Sequence, residues 1–567
     1  MLLYKQTAAP EVLWPEPMEM IWQMLPGGWQ PDVAWKRPDI TLPHRLFIGA
    51  VVNVPREQRP WGSITWLADV YDTSRETIYT IGRRARDGLL LPVVEAPSRV
   101  DSVAPVVEPD SSDGSTIAVT DNRVKRTILT GLLPGGATLR PMEDWLQVAF
   151  DQSRSPSFMS ELINEAGRRA GGILDQIDFS PLGEVILARD ETYFDGLAFL
   201  LSVEPCTYVI VSGHVEETCD GETWGVSLAI DQQTRGLRII GLAEDGARCY
   251  PKSLKQAAAL LEAEFSVPVQ KDVWHVLDKA RQTVTDLERM ALKKLEEAEE
   301  LYQALVNDPW DDEGFEAWVK AEEAAEGLLE MSDRLRFWYG CLCDALEIVD
   351  WRSGEIRDRK INQWLLDETL KGLRQLHHPR VKKLVTRLEN QYDELLTFLD
   401  WLEVQLIPWQ RRLARAFPDP QERAFFQATV ARAWRLNRAL VNGHKSFRGP
   451  AADAQALLAE LIADDEQAHS LAEELLTILE GTIRTSCAAE TINSILKPYL
   501  WVKRSFQSRE TAQNFLNLFI LWFNMHPFKR GKRAGQSPFQ WAGIKVYAPD
   551  GREILDWLEA LGYPADA

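Results

Sequence analysis

The sequence predicts an α/β domain interrupted by a large all-α block and preceded by small helical units. Three observations predict it. Between residues 183 and 247, apolar β-branched runs alternate with short turns, the pattern of successive strands. From about residue 280 to 478 the apolar spacing is helical throughout, with long runs such as TDLERMALKKLEEAEELYQALV. Two further amphipathic stretches, SCAAETINSILKPYLW and FLNLFILWFNMH, follow that block. At 567 residues the chain is too long for one core, so three or more domains are expected.

Taken in order, residues 1–60 are rich in Pro and Trp, show little periodicity, and read mostly as loop and short elements. GSITWLADVYDTSRETIYTIGRRARDG (62–88) reads as two short helices around the turn Asp72-Thr73-Ser74. Leu67, Ala68 and Val70 would pack the first helix, and the second would present Arg75, Glu76, Thr77 and Tyr79. A polar second helix after a tight turn is the helix-turn-helix pattern, which makes Arg75, Thr77 and Tyr79 candidate DNA contacts. A polar, Pro- and Ser-rich linker covers 95–119. A second helix pair, LRPMEDWLQVAF and SPSFMSELINEAGRRAGG, places Ser155, Ser157 and Ser160 where a recognition helix meets DNA.

GEVILARDETYF, FLLSVEPCTYVIVSG, TWGVSLAID and RGLRIIGLAEDGA then read as consecutive strands. A helix, LKQAAALLEAEF, and a short strand in SVPVQKDVWHVL follow. The expected organisation is an N-terminal region 1–94, the linker 95–119, a helix-turn-helix-like domain 120–178, and a first α/β part 179–280. An all-helical insertion 281–478, a second α/β part 479–545 and a tail 546–567 complete it.

The net charge of −21 argues at face value against a nucleic-acid partner. The charge is segregated, however. Residues 281–350 hold 19 acids against 7 bases, 411–448 hold 9 bases against 2 acids, and 497–533 hold 8 bases against Glu510 alone. Local basic patches attract phosphates over about a Debye length, roughly 10 Å, whatever the distant total. No apolar run is long enough to span a membrane, and the N-terminus lacks the pattern of a secretory signal. The six cysteines are scattered with no zinc spacing, so reduced thiols in a cytoplasmic compartment are expected.

The chemistry is expected where carboxylates fall. Asp190 ends the first strand, and Asp245 ends the fourth with Gly246 allowing a sharp turn. Carboxylates at the ends of adjacent strands converge, and a third acid on a helix beside that edge would complete a set. Three such groups repel unless divalent cations neutralise them. Oxygen ligands of this kind suit two Mg²⁺ ions about 4 Å apart, the geometry of phosphoryl transfer, with Mn²⁺ able to substitute. On the helix at 486–501, Glu490, Asn493 and Lys497 share one face by their i, i+3, i+7 spacing.

From about residue 184 to 544, roughly two-thirds of the chain, the sequence resembles the DDE transposases of bacterial insertion sequences, which have an RNase H-like catalytic fold. The resemblance is to the branch shared by the Mutator-like and hAT groups, in which a helical insertion separates the second Asp from the Glu. It rests on Asp190 in RDETYF, Asp245 in EDGA, and Glu490 in AAETINSILKPYL, with Lys497 completing an E-x6-K/R pattern. Asp272-Val273-Trp274-His275 fits the family's C/D-x-x-H motif, and NMHPFKRGKRAGQSPFQWAGI resembles the end of such domains. The resemblance implies Asp190, Asp245 and Glu490 as catalytic, metal-binding residues. Asn493, Lys497, Lys503 and Arg504 would face DNA, and Asp272 and His275 would support the site. It also implies cleavage at transposon ends, strand transfer into target DNA, and a homodimer or larger assembly on double-stranded DNA near the nucleoid. The alternatives are a catalytically silent DNA-binding protein and an RNase H-like nuclease without strand transfer.

Asp272 also follows a short strand and is the alternative second acid. Asp245 is preferred because a helix between it and Asp272 matches the strand–acid–helix–strand order of that fold. Asp195, Asp220 and Asp231 read as solvated turn residues, and Glu191 should point away from Asp190. Eight insertion tryptophans (Trp310, Trp318, Trp338, Trp351, Trp364, Trp401, Trp409 and Trp434) are mostly core by spacing, although one in that family's insertion stacks on a base. The basic stretch 411–448 reads either as a DNA-backbone contact or as a solvated face.

Overall fold

The computed structural model describes residues 42–54, 63–71, 73, 77–79, 81 and 118–565, apart from 248, 262–264, 309 and 532. The chain divides into two compact units, Met1–Ser115 and Thr116–Ala567. In the first, α1 (Leu42–Asn53) and α2 (Ser63–Val70) bury Ile48, Val51, Val52, Ile64, Leu67 and Ala68 together with Ile78 and Ile81. The chain turns after α2, where the Thr73 N–H donates to the Ala68 carbonyl at 2.9 Å, and it is helical again at 77–79. Helix α1 falls in a stretch expected to be mostly loop; among the described residues its apolar stripe packs against α2 and against Ile78 and Ile81. Val70, expected inside, is 53% exposed. Arg75 and nearly all of the 95–119 linker lie outside the described residues.

The second unit opens with three helices, α3 (Asp121–Leu132), α4 (Leu139–Phe150) and α5 (Pro156–Leu174). Thr120 caps α3 and Ser155 caps α5 through side-chain acceptors. These helices do not form a core of their own. Met159, Leu162, Ile163 and Ala166 of α5 belong to the same apolar cluster as the sheet.

Strands β1 (Glu184–Phe194), β2 (Leu197–Glu204) and β3 (Val209–Glu216) form an antiparallel meander. Helix α6 (Gly221–Thr234) leads to β4 (Arg238–Glu244), and α7 (Tyr250–Leu260) leads to β5 (Val269–Lys271). The mixed sheet has the order β3-β2-β1-β4-β5, with β4 parallel to both β1 and β5. Two sequence expectations change here. FLLSVEPCTYVIVSG is two strands, divided at a turn where the Glu204 carboxylate accepts from the backbone N–H groups of Cys206 and Thr207. TWGVSLAID is helix. Asp220 caps it through Glu222 and Thr223, and Trp224, Ser227, Leu228 and Asp231 recur inside at helical spacing.

The chain then leaves the sheet for eight helices: α8 (Val273–Asn307), α9 (Asp312–Ala345), α10 (Arg359–Arg374), α11 (Pro379–Asn390), α12 (Thr397–Ala416), α13 (Pro420–Val441), α14 (Arg448–Ile462) and α15 (Glu466–Gly481). They close around a second apolar core that includes Trp409 and Trp434. This block also covers the sheet's β5 edge. Lys271 N donates to Glu394 O at 2.9 Å, Thr397 Oγ1 to Val269 O at 2.8 Å, and Phe398 N to Gln270 Oε1 at 2.7 Å. A buried edge strand needs such partners for its free backbone groups.

Helices α16 (Cys487–Trp501) and α17 (Arg509–Met525) return to the sheet's core. Gly167 of α5 lies so close to α17 that an added Cβ would sit 2.1 Å from the Asn514 carbonyl oxygen. A short helix α18 (Pro538–Ala542), a two-stranded ribbon of β6 (Val546–Tyr547) and β7 (Glu553–Ile554), and α19 (Trp557–Ala560) end the fold. The expected tail 546–567 is thus packed: Trp557, Leu558, Leu561 and Tyr563 join the main core, and Arg126 pairs with Asp556 at 2.8 Å. Among the described residues, no helix is long and apolar enough to cross a membrane.

Candidate functional site

The register of two strands sets up the site. Ala188 of β1 is level with Ala243 of β4 at the end of the parallel pairing; two residues on, Asp245 has left β4, whereas Asp190, expected to end its strand, lies within β1, which runs on to Phe194 paired with β2. Strand alternation separates Asp190 from its neighbours. Asp190 turns to α16, where the Asn493 amide donates to its Oδ2 at 2.8 Å. Glu191, as alternation requires, turns to the other face and accepts from Tyr250 Oη at 3.0 Å. Arg189 on that second face is fully buried, 2.6 Å from Glu244, which also receives Lys271 at 3.0 Å. That ion cluster braces the ends of β1, β4 and β5 beneath the site.

Asp245 caps its own turn, accepting from Ala247 N at 2.9 Å, with Gly246 at a φ of 90° where a side chain would be strained. Asp272 is the N-cap of α8, with Oδ1 accepting from His275 N at 2.9 Å. Its Oδ2 accepts from both N and Oγ of Ser486, at 2.7 and 2.8 Å. Ser486 immediately precedes α16, so Asp272 ties the end of β5 to the start of the helix that carries Glu490. His275 Nδ1 lies 3.2 Å from Glu490 Oε1 and 3.6 Å from Asp272 Oδ2. It makes no aligned hydrogen bond to either, so the attraction is electrostatic.

The expected trio of Asp190, Asp245 and Glu490 therefore gathers at one sheet edge, but it is not the tightest group there. Asp272, His275 and Glu490 each offer a ligand atom, all within 4.8 Å of one another, a cluster able to hold a metal ion. Glu490 leans toward His275. Burial raises the Glu490 carboxyl above its ordinary range; His275 opposes, and the Asp272, Asp190 and Asp245 charges add to the rise. Burial likewise raises Asp190, with the Asn493 hydrogen bond pulling down and Asp245 pushing up. The Asp272 carboxylate holds His275 above its usual value, with Glu490 and Asp245 contributing. Asp272 itself is lowered: burial works against this, and the donors from His275 and Ser486 overcome it.

The remaining expected residues are distributed less evenly. Asn493 is 1% exposed, with Oδ1 buried and without a partner; it faces Asp190, not an open DNA groove. Lys497 is exposed one turn on and favours the charged form of Asp190. Lys503 folds over the Phe515 ring at 4.5 Å, and burial pushes its pKa down to about 8, whereas Arg504 is exposed. In the first unit Thr77 is half-buried and Tyr79 is 42% exposed.

Sequence reasoning missed Ser486, whose only signal is its place before the helix, and the pair Glu191–Tyr250. It also missed Trp274, 51% exposed and packed edge-on against His275. Asp231, expected to be solvated, is fully buried on α6, where Ser212 Oγ donates to it at 2.9 Å and burial pushes its pKa up to about 6. The basic stretch 411–448 is largely engaged within the fold. Arg412 pairs with Glu474, Arg435 with Glu347, and Arg423 with two backbone carbonyls; Arg438 lies over Trp434. Of the eight insertion tryptophans, Trp310 and Trp364 are exposed, at 91% and 61%, and Trp401 packs against Gly241 of β4.

No protein-family model matches the chain, and no curated protein is similar to it.

Proposed function

We propose that the chain is a DDE transposase that cleaves DNA at transposon ends and joins them to target DNA. One arrangement carries this reading: Asp190 within β1 and Asp245 just past β4 both follow the level pair Ala188–Ala243 of adjacent parallel strands, and both charges act on Glu490. The residues fit divalent cations. The donor set is oxygen-rich, as hard cations require, and Asp190 and Glu490 are both held above the ordinary carboxylate range by burial. Asp190, Asp245 and Glu490 would hold two Mg²⁺ ions, with Mn²⁺ as a substitute. Held there, such ions lower the pKa of water and stabilise the leaving oxygen of a phosphodiester.

The protein's own groups do the rest. Asn493 fixes the Asp190 carboxylate through its amide. Asp272 sets the start of α16 through Ser486, and so sets where Glu490 stands. His275 balances the Glu490 charge. Lys497, exposed and acting on Asp190, is placed to hold a DNA phosphate, and the exposed Arg504 after α16 is a second candidate for such a contact. The helix-turn-helix expected at 62–88, of which 63–71, 73, 77–79 and 81 are described, would serve end recognition. Joining two ends at once calls for a dimer or larger assembly, acting on DNA in the cytoplasm.

The compact Asp272–His275–Glu490 group favours a second reading in which a cation sits there instead of between Asp190 and Asp245. Both readings need Glu490, so the variants that separate them are Asp245→Asn and His275→Ala. The deciding experiment incubates labelled DNA bearing the element's ends with wild type and Glu490→Gln in Mg²⁺ or Mn²⁺. Nicking and joining by wild type, with binding alone by the variant, are expected, and a loss of at least about 10³-fold in rate is the scale for removing a reaction-centre group. Equal binding with no cutting by either protein would leave a DNA-binding protein in its place.

A further inference from the structure

We propose that Cys219 and Cys249 are a reversible disulfide pair whose closure pins the segment leaving Asp245. The two residues are far apart in sequence, but each sits at the start of a helix: Cys219 one residue before the Asp220 cap of α6, and Cys249 as the residue preceding α7. These two helices pack with their first turns in contact. A Cβ on Gly221 would lie 2.9 Å from the Cys249 carbonyl oxygen and 2.3 Å from Lys252 Cβ, so only glycine permits the approach. Both cysteines lie against the small apolar cluster of Leu200, Trp224 and Tyr250, and each thiol shifts the titration of the other. Both are free and half-exposed, within reach of a small oxidant.

The surroundings prepare one thiol for attack. Hydrogen bonding from Cys249, with a further contribution from Tyr193, pulls the Cys219 thiol down to about 6 although burial opposes it. This direction favours the thiolate of Cys219, the nucleophilic form. With a hydroperoxide as oxidant, the Cys219 thiolate attacks the O–O bond, forming a sulfenic acid and releasing hydroxide. Cys249 sulfur then displaces the sulfenic oxygen as water, so two thiols and one H₂O₂ become one disulfide and two waters. A low-molecular-weight thiol reverses it by exchange. Cys249 lies four residues after Asp245, and Tyr193 and Glu191 of β1 act on the Cys219 thiol. The linkage thus ties the neighbourhood of Asp190 to that of Asp245. The bond itself is independent of which reaction those carboxylates perform.

The full chain, treated with H₂O₂ under native conditions, then alkylated and digested without reductant, is the test. Mass spectrometry is expected to find a linked peptide pair containing Cys219 and Cys249, two hydrogens lighter than the sum of the thiols and lost after dithiothreitol. Oxidised wild type should also melt at a higher temperature than reduced wild type, and Cys249→Ser should show no such difference. Recovery of both residues as alkylated or over-oxidised thiols, with no linked pair, would overturn the proposal. So would a linked pair that forms only after denaturation.

Discussion

At the scale of single residues, the most informative side chain is Asn493. Its spacing from Glu490 suggested a DNA contact, yet it is buried and its amide is committed to Asp190. Asn493→Ala is therefore expected to lower DNA nicking by roughly 10–100-fold, the usual cost of removing a group that orients a metal-binding carboxylate. Gel-shift affinity for the same DNA should stay unchanged; a matching loss of binding would return Asn493 to a DNA-contacting role. Asp231 supports a different prediction. Its folded pKa is raised to about 6, so the folded state favours the protonated form, and keeping the group charged costs stability. That cost grows as pH rises from the unfolded value near 4 through 6 and is complete above it. Asp231→Asn should stabilise the protein by roughly 3 kcal/mol at pH 8 and by nearly nothing at pH 4. Thermal melts of both proteins across that range check it, and an equal difference at every pH would refute it.

At the scale of elements, helix α6 and the α5–α17 contact show why local pattern misleads. TWGVSLAID is β-branched enough to read as a strand, but Asp220 caps it and its buried positions fall at helical spacing. Helix α5, whose first turn was expected to meet DNA, lies further along against α17, with Gly167 opposite the Asn514 backbone. Backbone cannot rotate aside as a side chain can. Gly167→Ala is therefore expected to cost about 1–3 kcal/mol, the range for overpacking a tight interface, read as a lower midpoint in urea unfolding. An unchanged midpoint would mean that the two helices part more easily than their spacing implies. The strands β1 and β4 were legible from their runs, and so was α16, because each carries its own period.

At the scale of the whole molecule, the net charge of −21 and a DNA substrate are compatible because acids and bases occupy different segments. The acidic run spans α8 and α9, whereas Lys497, the exposed cation that acts on Asp190, is on α16, and the exposed Arg504 follows that helix. The division at residues 115 and 116 bears on how end recognition and chemistry are shared. A chain beginning at Thr116 is expected to fold and to nick DNA, while its preference for element ends over other DNA falls by about 10³-fold or more. Competition binding at fixed salt measures this, and undiminished end preference would move recognition into the second unit.

What the sequence determined by itself was whatever is encoded locally. Periodicity and turn residues sufficed for the long helices, the strands β1, β4 and β5, the placement of the helical block between β5 and α16, and the acids Asp190, Asp245 and Glu490 as candidates. Only the tertiary structure decided which groups meet. The level pair Ala188–Ala243 ahead of Asp190 and Asp245, the Asn493–Asp190 bond, the Ser486–Asp272 tie, the lean of Glu490 toward His275 and the approach of Cys219 to Cys249 all join residues distant in the chain. Such contacts depend on how whole elements close on one another, and no local window carries that geometry. Burial follows the same rule: Asp231 and Lys503 look like solvated charges until packing removes water from around them.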